Sequence, residues 1–160
     1  MLAITHCLWF DGQAEEAARQ YVAIFAGRLG RVLRYGQEGH DVHGRPAGSV
    51  MTVEFELLGE RYVAVNGGPQ FRFNEAFSIQ VLCDTQAELD RLWERLSEGG
   101  EPGHCGWLKD RFGLSWQVTP RRLSEMLADP DPARVQRVTR AFLEMRKFDL
   151  AALERAWAGA

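Results

Sequence analysis

The 160-residue sequence predicts an α+β fold, two βαβββ modules followed by a helical extension. Three observations carry the prediction. A short alternating run from Ile4 to Phe10 leads through Asp11-Gly12 into an amphipathic stretch ending near Phe25. The same plan restarts at Phe77. The copies are in register, because Tyr21 lies 15 residues past His6 and Trp93 lies 15 residues past Ser78. The modules are expected at about 1–68 and 76–120, together a paired domain of 1–120, with 121–160 as the helical extension.

Taken in order, Ile4, His6, Leu8 and Phe10 share one face of the first run and Thr5, Cys7 and Trp9 the other, the period-two pattern of a strand. Ala14, Ala17, Ala18, Tyr21, Val22 and Phe25 then form the apolar stripe of a helix. Glycines at 27 and 30 flank a strand from Arg28 to Tyr35, and Gly36 to Gly48 reads as a polar loop. Ser49 to Leu57 alternates cleanly, with Met51, Val53, Phe55 and Leu57 on one face and Thr52, Glu54 and Glu56 on the other. Gly59-Glu60 reads as a hairpin turn into Arg61 to Asn66, and Gly67-Gly68-Pro69 opens a connector to about Glu75.

The second module begins with a strand from Phe77 to Cys83. Asp84 or Thr85 caps a helix whose stripe is Leu89, Leu92, Trp93 and Leu96, and Gly99-Gly100 stops it. Two further strands follow, Cys105 to Lys109 and Leu114 to Thr119. Beyond Pro120 the pattern is helical: a turn through Leu123 and Leu127, a start signal at Asp129-Pro130-Asp131-Pro132, a stripe of Val135, Val138, Phe142 and Met145, and a last helix marked by Leu150, Leu153 and Trp157. These helices are expected to cover an edge or a dimer surface.

Composition excludes several classes of function. A formal charge of -3 with interspersed signs provides no basic stripe for phosphate backbones, so nucleic acid is not an expected partner. No apolar run approaches the ~20 residues needed to cross a bilayer, and the N-terminus lacks a signal-type segment. Three cysteines, Cys7, Cys83 and Cys105, fit reduced thiols and a cytoplasmic protein. His40 and His43 lack a third ligand and read as solvated. Gly67-Gly68-Pro69 is followed by neither a Lys-Ser/Thr pair nor a helix start, so it is no phosphate loop. Cys105, beside Gly106, has only Lys109 near enough to activate it and is not expected to be a nucleophile.

Four stretches carry a family resemblance: Leu8 to Ala17 (LWFDGQAEEA), Gly48 to Phe55 (GSVMTVEF), Asn66 to Pro69 (NGGP) and Gly106 to Gly113 (GWLKDRFG). With the paired modules and a first-strand His, the chain resembles the vicinal oxygen chelate superfamily, which includes glyoxalase I, extradiol dioxygenases and bleomycin-resistance proteins. Within it the chain is similar to the PhnB-like branch, often labelled 3-demethylubiquinone-9 3-methyltransferase. The sequence has no strand-linked Gly-x-Gly-x-x-Gly or methyl-donor site, so that label is not expected to describe its reaction.

The resemblance implies sheets curled around a cavity with helices outside, and often a homodimer. It places His6, Leu8 and Phe10 inward, together with Tyr62, Ala64 and Asn66, with Ser78, Gln80 and Leu82, and with Ser115, Gln117 and Thr119. Trp9, Ile79, Val81, Leu114, Trp116 and Val118 then pack beneath the helices, and Cys7 and Cys83 become small core residues. Metal-dependent members hold a divalent ion with four inward His, Gln or Glu side chains. Here His6 takes the first place, Ser78 the second, Ala64 or Asn66 the third and Gln117 the fourth, which leaves one strong ligand.

The expected protein is therefore metal-free, without a cofactor, and binds a small apolar or aromatic molecule between Leu8, Phe10, Tyr62 and Trp107. His6, Glu54, Asn66 and Gln117 would orient its polar groups, with Ser78 and Gln80 on the same wall. The alternative is a lyase, isomerase or oxygenase using His6 with Glu54 or Gln117 and a Zn, Mn or Fe ion held by His6 and Gln117.

Overall fold

The structure is a computed structural model describing residues 2–160, and its chain divides into one unit ending at Phe73 and a second from Asn74 to Ala160. The first unit contains β1 (His6–Phe10), α1 (Ala14–Phe25), β2 (Arg28–Arg34), the one-turn α2 (His40–His43), β3 (Val50–Leu57) and β4 (Glu60–Asn66). Its sheet runs β1-β4-β3-β2. β1 and β4 pair in parallel, His6 opposite Tyr62 and Phe10 opposite Asn66, while β3 pairs antiparallel with both β2 and β4.

The β3–β4 hairpin turns on Leu58-Gly59, one residue earlier than the sequence suggests, with φ of 51° and 89°. Positive φ at both central residues is the primed turn whose twist matches a two-residue hairpin. Glycine adopts it freely; an exposed leucine does not.

One face of this sheet is sealed by α1. Leu8, Phe10, Val53, Phe55, Leu57, Tyr62 and Ala64 are buried there with Ala14, Ala17, Ala18 and Tyr21. The Tyr21 ring lies 6.1 Å from Phe55, which stacks on Tyr62 at 5.1 Å. The N-terminus of α1 has no side-chain cap of its own at Gln13. The cap comes from β4: Asn66 Oδ1 accepts from the Ala14 N–H at 2.9 Å, and Asn66 Nδ2 donates to the Val50 carbonyl at 3.0 Å. One buried amide thus joins helix, β3 and β4.

The second unit contains β5 (Ser78–Cys83), α3 (Gln86–Ser97), β6 (Glu101–Pro102), β7 (Trp107–Lys109), β8 (Ser115–Pro120), α4 (Arg121–Leu127), α5 (Pro132–Leu143) and α6 (Leu150–Ala158). Its sheet order, β5-β8-β7-β6, repeats that of the first, including the parallel pairing of its first and last strands. Thr85 caps α3 in a reciprocal capping box with Glu88. The β7–β8 turn closes on Asp110, a buried carboxylate. Its Oδ1 accepts from the Phe112 and Leu114 N–H groups at 2.8 and 3.1 Å, and its Oδ2 from Trp116 Nε1 at 2.8 Å.

The C-terminal helices are built into this second unit. The Cys105 and Gly106 N–H groups donate to the Met145 and Arg146 carbonyls, both at 2.8 Å. Gly106 has φ of 77°, and a Cβ there would lie 2.4 Å from the Phe148 ring. Trp157 donates to Asp129 at 2.9 Å and lies beneath the Arg134 and Arg122 guanidiniums. No helix among the described residues is long and apolar enough to cross a membrane.

Candidate functional site

Opposite α1, the first sheet exposes its polar face. Strand alternation brings Thr5, Cys7 and Trp9 to the same side as Val63, Val65, Thr52, Glu54 and Glu56. The register between β2 and β3 shifts between Leu29 and Val32, so Gly30 and Arg31 together stand against Glu54. This bulge presents Arg31 to Glu54. The guanidinium engages the carboxylate with two hydrogen bonds, Nε to Oε2 at 3.1 Å and Nη2 to Oε1 at 2.7 Å. Arg28 pairs with Glu56 at 3.0 Å. Among the described residues the Arg61 guanidinium has no hydrogen bond or ion pair.

These groups surround a hollow of about 470 Å³ within the first unit, whose other walls include Ala3, Ile4, Thr5 and Val63. The hydrogen bonds from Arg31 hold the Glu54 carboxyl below the usual carboxylate range, with a smaller contribution from the charge on Arg61. The pairing with Glu54 pushes the Arg31 guanidinium up in return. The Arg31–Glu54 pair on the wall of the hollow thus favours its charged form.

Several expected site residues lie elsewhere. Leu8, Phe10, Tyr62 and Asn66 have their side chains on the α1 side and are at most 6% exposed, so they form core and cap; of the four, Tyr62 also borders the hollow. His6 shares their parity. Its ring sits 5.1 Å from Tyr62, and its Nε2 lies 3.9 Å from Glu60 Oε2 at the strand's exposed end. His6 and Glu54, expected to work together, are on opposite faces of one sheet. Burial raises the Tyr62 hydroxyl above its ordinary pKa, helped by the charge on Glu60. The reversal has a physical source: β1 carries large side chains on both faces, so alternation alone does not say which set the helix covers. The parity of Cys7 reverses with the rest, and Cys7 is exposed.

In the second unit the expected face assignment matches the observed parity. Val81, Cys83, Trp116 and Val118 are buried on the α3 side, while Ser78, Gln80 and Gln117 lie opposite with the half-buried Trp107. The second unit therefore brings four of the expected residues onto one face. Gln117 Nε2 donates to Ser78 Oγ at 2.9 Å, and Gln80 Nε2 reaches Gln117 Oε1 at 3.4 Å. Ser115 Oγ, on the same parity, is buried and has no hydrogen-bond partner among the described residues. Lys109 is paired with Glu75.

The donors do not fit a resident divalent ion of the superfamily type. His6 is on the helix-covered face, the Gln117 amide is engaged with Ser78 and Gln80, and Ala64 and Asn66 are core and cap. Among the described residues no group of three His, Cys, Asp or Glu is placed to hold a metal. Of the His40–His43 pair, His43 packs its ring 4.5 Å from Tyr35 and its Nδ1 accepts from the Arg45 N–H at 2.9 Å, while His40 is exposed. All three cysteines are free, and burial pushes the Cys83 thiol up to about 11.

Sequence reasoning missed Arg28, Arg31 and Arg61. The signal was present in the opposed charges of Arg28 and Arg31 and of Glu54 and Glu56 on two neighbouring strands, but pairing them requires the bulge.

Comparison with known proteins places the fold. The family model described as 3-demethylubiquinone-9 3-methyltransferase matches residues 2–119. A Bacillus cereus structure described as a putative 3-demethylubiquinone-9 3-methyltransferase, PhnB protein, is 30% identical, with a TM-score of 0.63 over 74% of this chain and 98% of that one. A Pseudomonas aeruginosa protein is 25% identical, with a TM-score of 0.58 over 72% of this chain and 95% of its own. The fosfomycin resistance protein FosX of Mesorhizobium loti, at 16% identity and a TM-score of 0.53, covers 81% of this chain and 100% of its own and shares the fold. No curated protein matches the chain. The methyltransferase name is a family label and assigns no reaction. The chain belongs to this PhnB-like, 3-demethylubiquinone-9 3-methyltransferase family.

Proposed function

We propose that this chain is a metal-free, cytoplasmic protein that binds a small molecule on the open face of its first sheet and acts as a homodimer. The observation that carries the reading is the hollow bounded by Arg28, Arg31, Glu54, Glu56 and Arg61. Its volume of about 470 Å³ falls within the range of ligand pockets. The three free cysteines favour a reducing compartment. The end strands β1 and β2 leave sheet edges that a second copy would cover. The face of Ser78, Gln80, Trp107 and Gln117 offers a second, neutral set of polar groups for a ligand. His6 takes no part in binding on this reading.

Elemental analysis of untagged protein purified without chelator tests the metal-free state, with His6→Ala alongside. Metal well below one equivalent in both supports it; one equivalent of Zn, Mn or Fe in the parent and none in the variant overturns it in favour of a metal-dependent lyase, isomerase or oxygenase. Native mass spectrometry of the same protein reports a retained small molecule and the mass of the dimer.

A further inference from the structure

We propose that the hollow on the first sheet selects a small monoanion, an apolar body carrying one carboxylate, and that Arg61 receives the charge. The proposal rests on the binding reading above and names the class of ligand. Three guanidiniums, of Arg28, Arg31 and Arg61, face the hollow against two carboxylates, of Glu54 and Glu56. Two of the guanidiniums are already paired, Arg28 to Glu56 and Arg31 to Glu54. Arg61 is the cation left over.

A planar guanidinium matches a carboxylate with two parallel hydrogen bonds, which a neutral amide cannot reproduce. The surplus is a single positive charge, and Glu54 and Glu56 stand beside it. A dianion such as a phosphate monoester would leave one negative charge uncompensated next to two fixed carboxylates. The remaining walls supply the apolar contact. Ile4 is 89% exposed, and Ala3 and Val63 line the hollow with it. A flat hydrocarbon laid there would cover Ile4, which the described residues of the first unit leave exposed. The bulge at Gly30-Arg31 gives Glu54 its hydrogen-bonding partner in Arg31, and Arg61 acts on that carboxylate only through its charge.

The test uses three probes of one shape: 2-naphthoate, 2-naphthamide and 2-naphthyl phosphate, titrated into the full chain at pH 7 with backbone-amide NMR as readout. 2-Naphthoate is expected to shift Thr5, Arg31, Glu54 and Val63, to bind about tenfold more tightly than 2-naphthamide, and to outcompete the phosphate. Arg61→Gln is expected to reduce 2-naphthoate to the level of the amide, while Arg61→Lys keeps part of the preference. Arg61 is exposed and among the described residues its guanidinium makes no hydrogen bond or ion pair, so both variants should fold. Equal binding of naphthoate and naphthamide, or an undiminished preference in Arg61→Gln, overturns the anion selectivity and leaves the binding reading standing. Stronger binding of the phosphate overturns the single-charge argument. Failure of all three probes to shift any residue of the hollow overturns both readings.

Discussion

Replacing Asn66 by Ala separates a structural amide from a ligand-binding one. The substitution deletes the acceptor of the Ala14 N–H, a group buried in a fully enclosed residue at the start of α1, and the donor to the half-buried Val50 carbonyl. A buried donor left without a partner costs about 1–3 kcal/mol, and loss of the second bond adds about 0.5–1.5 kcal/mol. The expected loss is about 2–4 kcal/mol, which for a chain of this size lowers Tm by about 5–15 °C. Urea unfolding at pH 7 should show a lower midpoint with an unchanged m-value, since neither end state changes in exposed area. Shifts of the hollow residues on adding 2-naphthoate should be those of the parent, because Asn66 lies on the opposite face. A stability change below about 0.5 kcal/mol, within the range of ordinary surface substitutions, would refute the capping argument. Weakened ligand binding in a fully stable variant would restore Asn66 to the site.

Other outcomes follow from single contacts. Leu58→Asn should stabilise the chain by about 0.5–1 kcal/mol, because asparagine tolerates the positive φ that the exposed leucine is forced to adopt; a loss in thermal unfolding would contradict the turn geometry. The Glu54 pKa is depressed in the folded state, so the stability it contributes is present above the ordinary carboxylate pKa and lost as pH falls through the folded value. In Arg31→Ala the Glu54 carboxyl, followed by carbon NMR, should titrate at higher pH; an unmoved midpoint would remove Arg31 as the cause. With an aromatic disulfide reagent, exposed Cys7 should react in the native protein and Cys83 only on unfolding, since Cys83 is 2% exposed and its thiol is pushed up to about 11. Rapid labelling of Cys83 would argue against the packing of β5 under α3.

Periodicity alone located nearly every element, because the apolar stripes of α1 and α3 and the alternation of β3 are each long enough to state their own period. What it did not reach depends on contacts distant in sequence or on elements too short to have a period. Strand β6 has two residues, Glu101 and Pro102, and exists through its pairing with Leu108 and Lys109. The cap of α1 comes from a side chain 52 residues away. The strand that carries His6 has bulky residues on both faces, so its own alternation does not fix which face the helix covers. β3 resolved the ambiguity, since Val53, Phe55 and Leu57 must face α1 and Glu54 must therefore face away. Carrying that polarity across the pairing to β4 and β1 would have turned the first-unit assignment over and brought the arginines into view. In the second unit the faces that the resemblance implies for β5 and β8 match the observed parity, where Trp116 and Val118 are buried and Gln117 and Thr119 less so.

The carboxylate of Asp110 bears on the order in which the second unit folds. Three hydrogen bonds to it come from groups within six residues in sequence, so this part of the closure costs little chain entropy. The pairing of β5 with β8 joins residues 37 apart and must wait for a much larger loop. The β7–β8 hairpin should therefore be formed in the folding transition state, ahead of the parallel pairing. Asp110→Asn, which cannot accept from both Trp116 Nε1 and the two backbone groups, then slows refolding and leaves the unfolding limb of the chevron almost where it was.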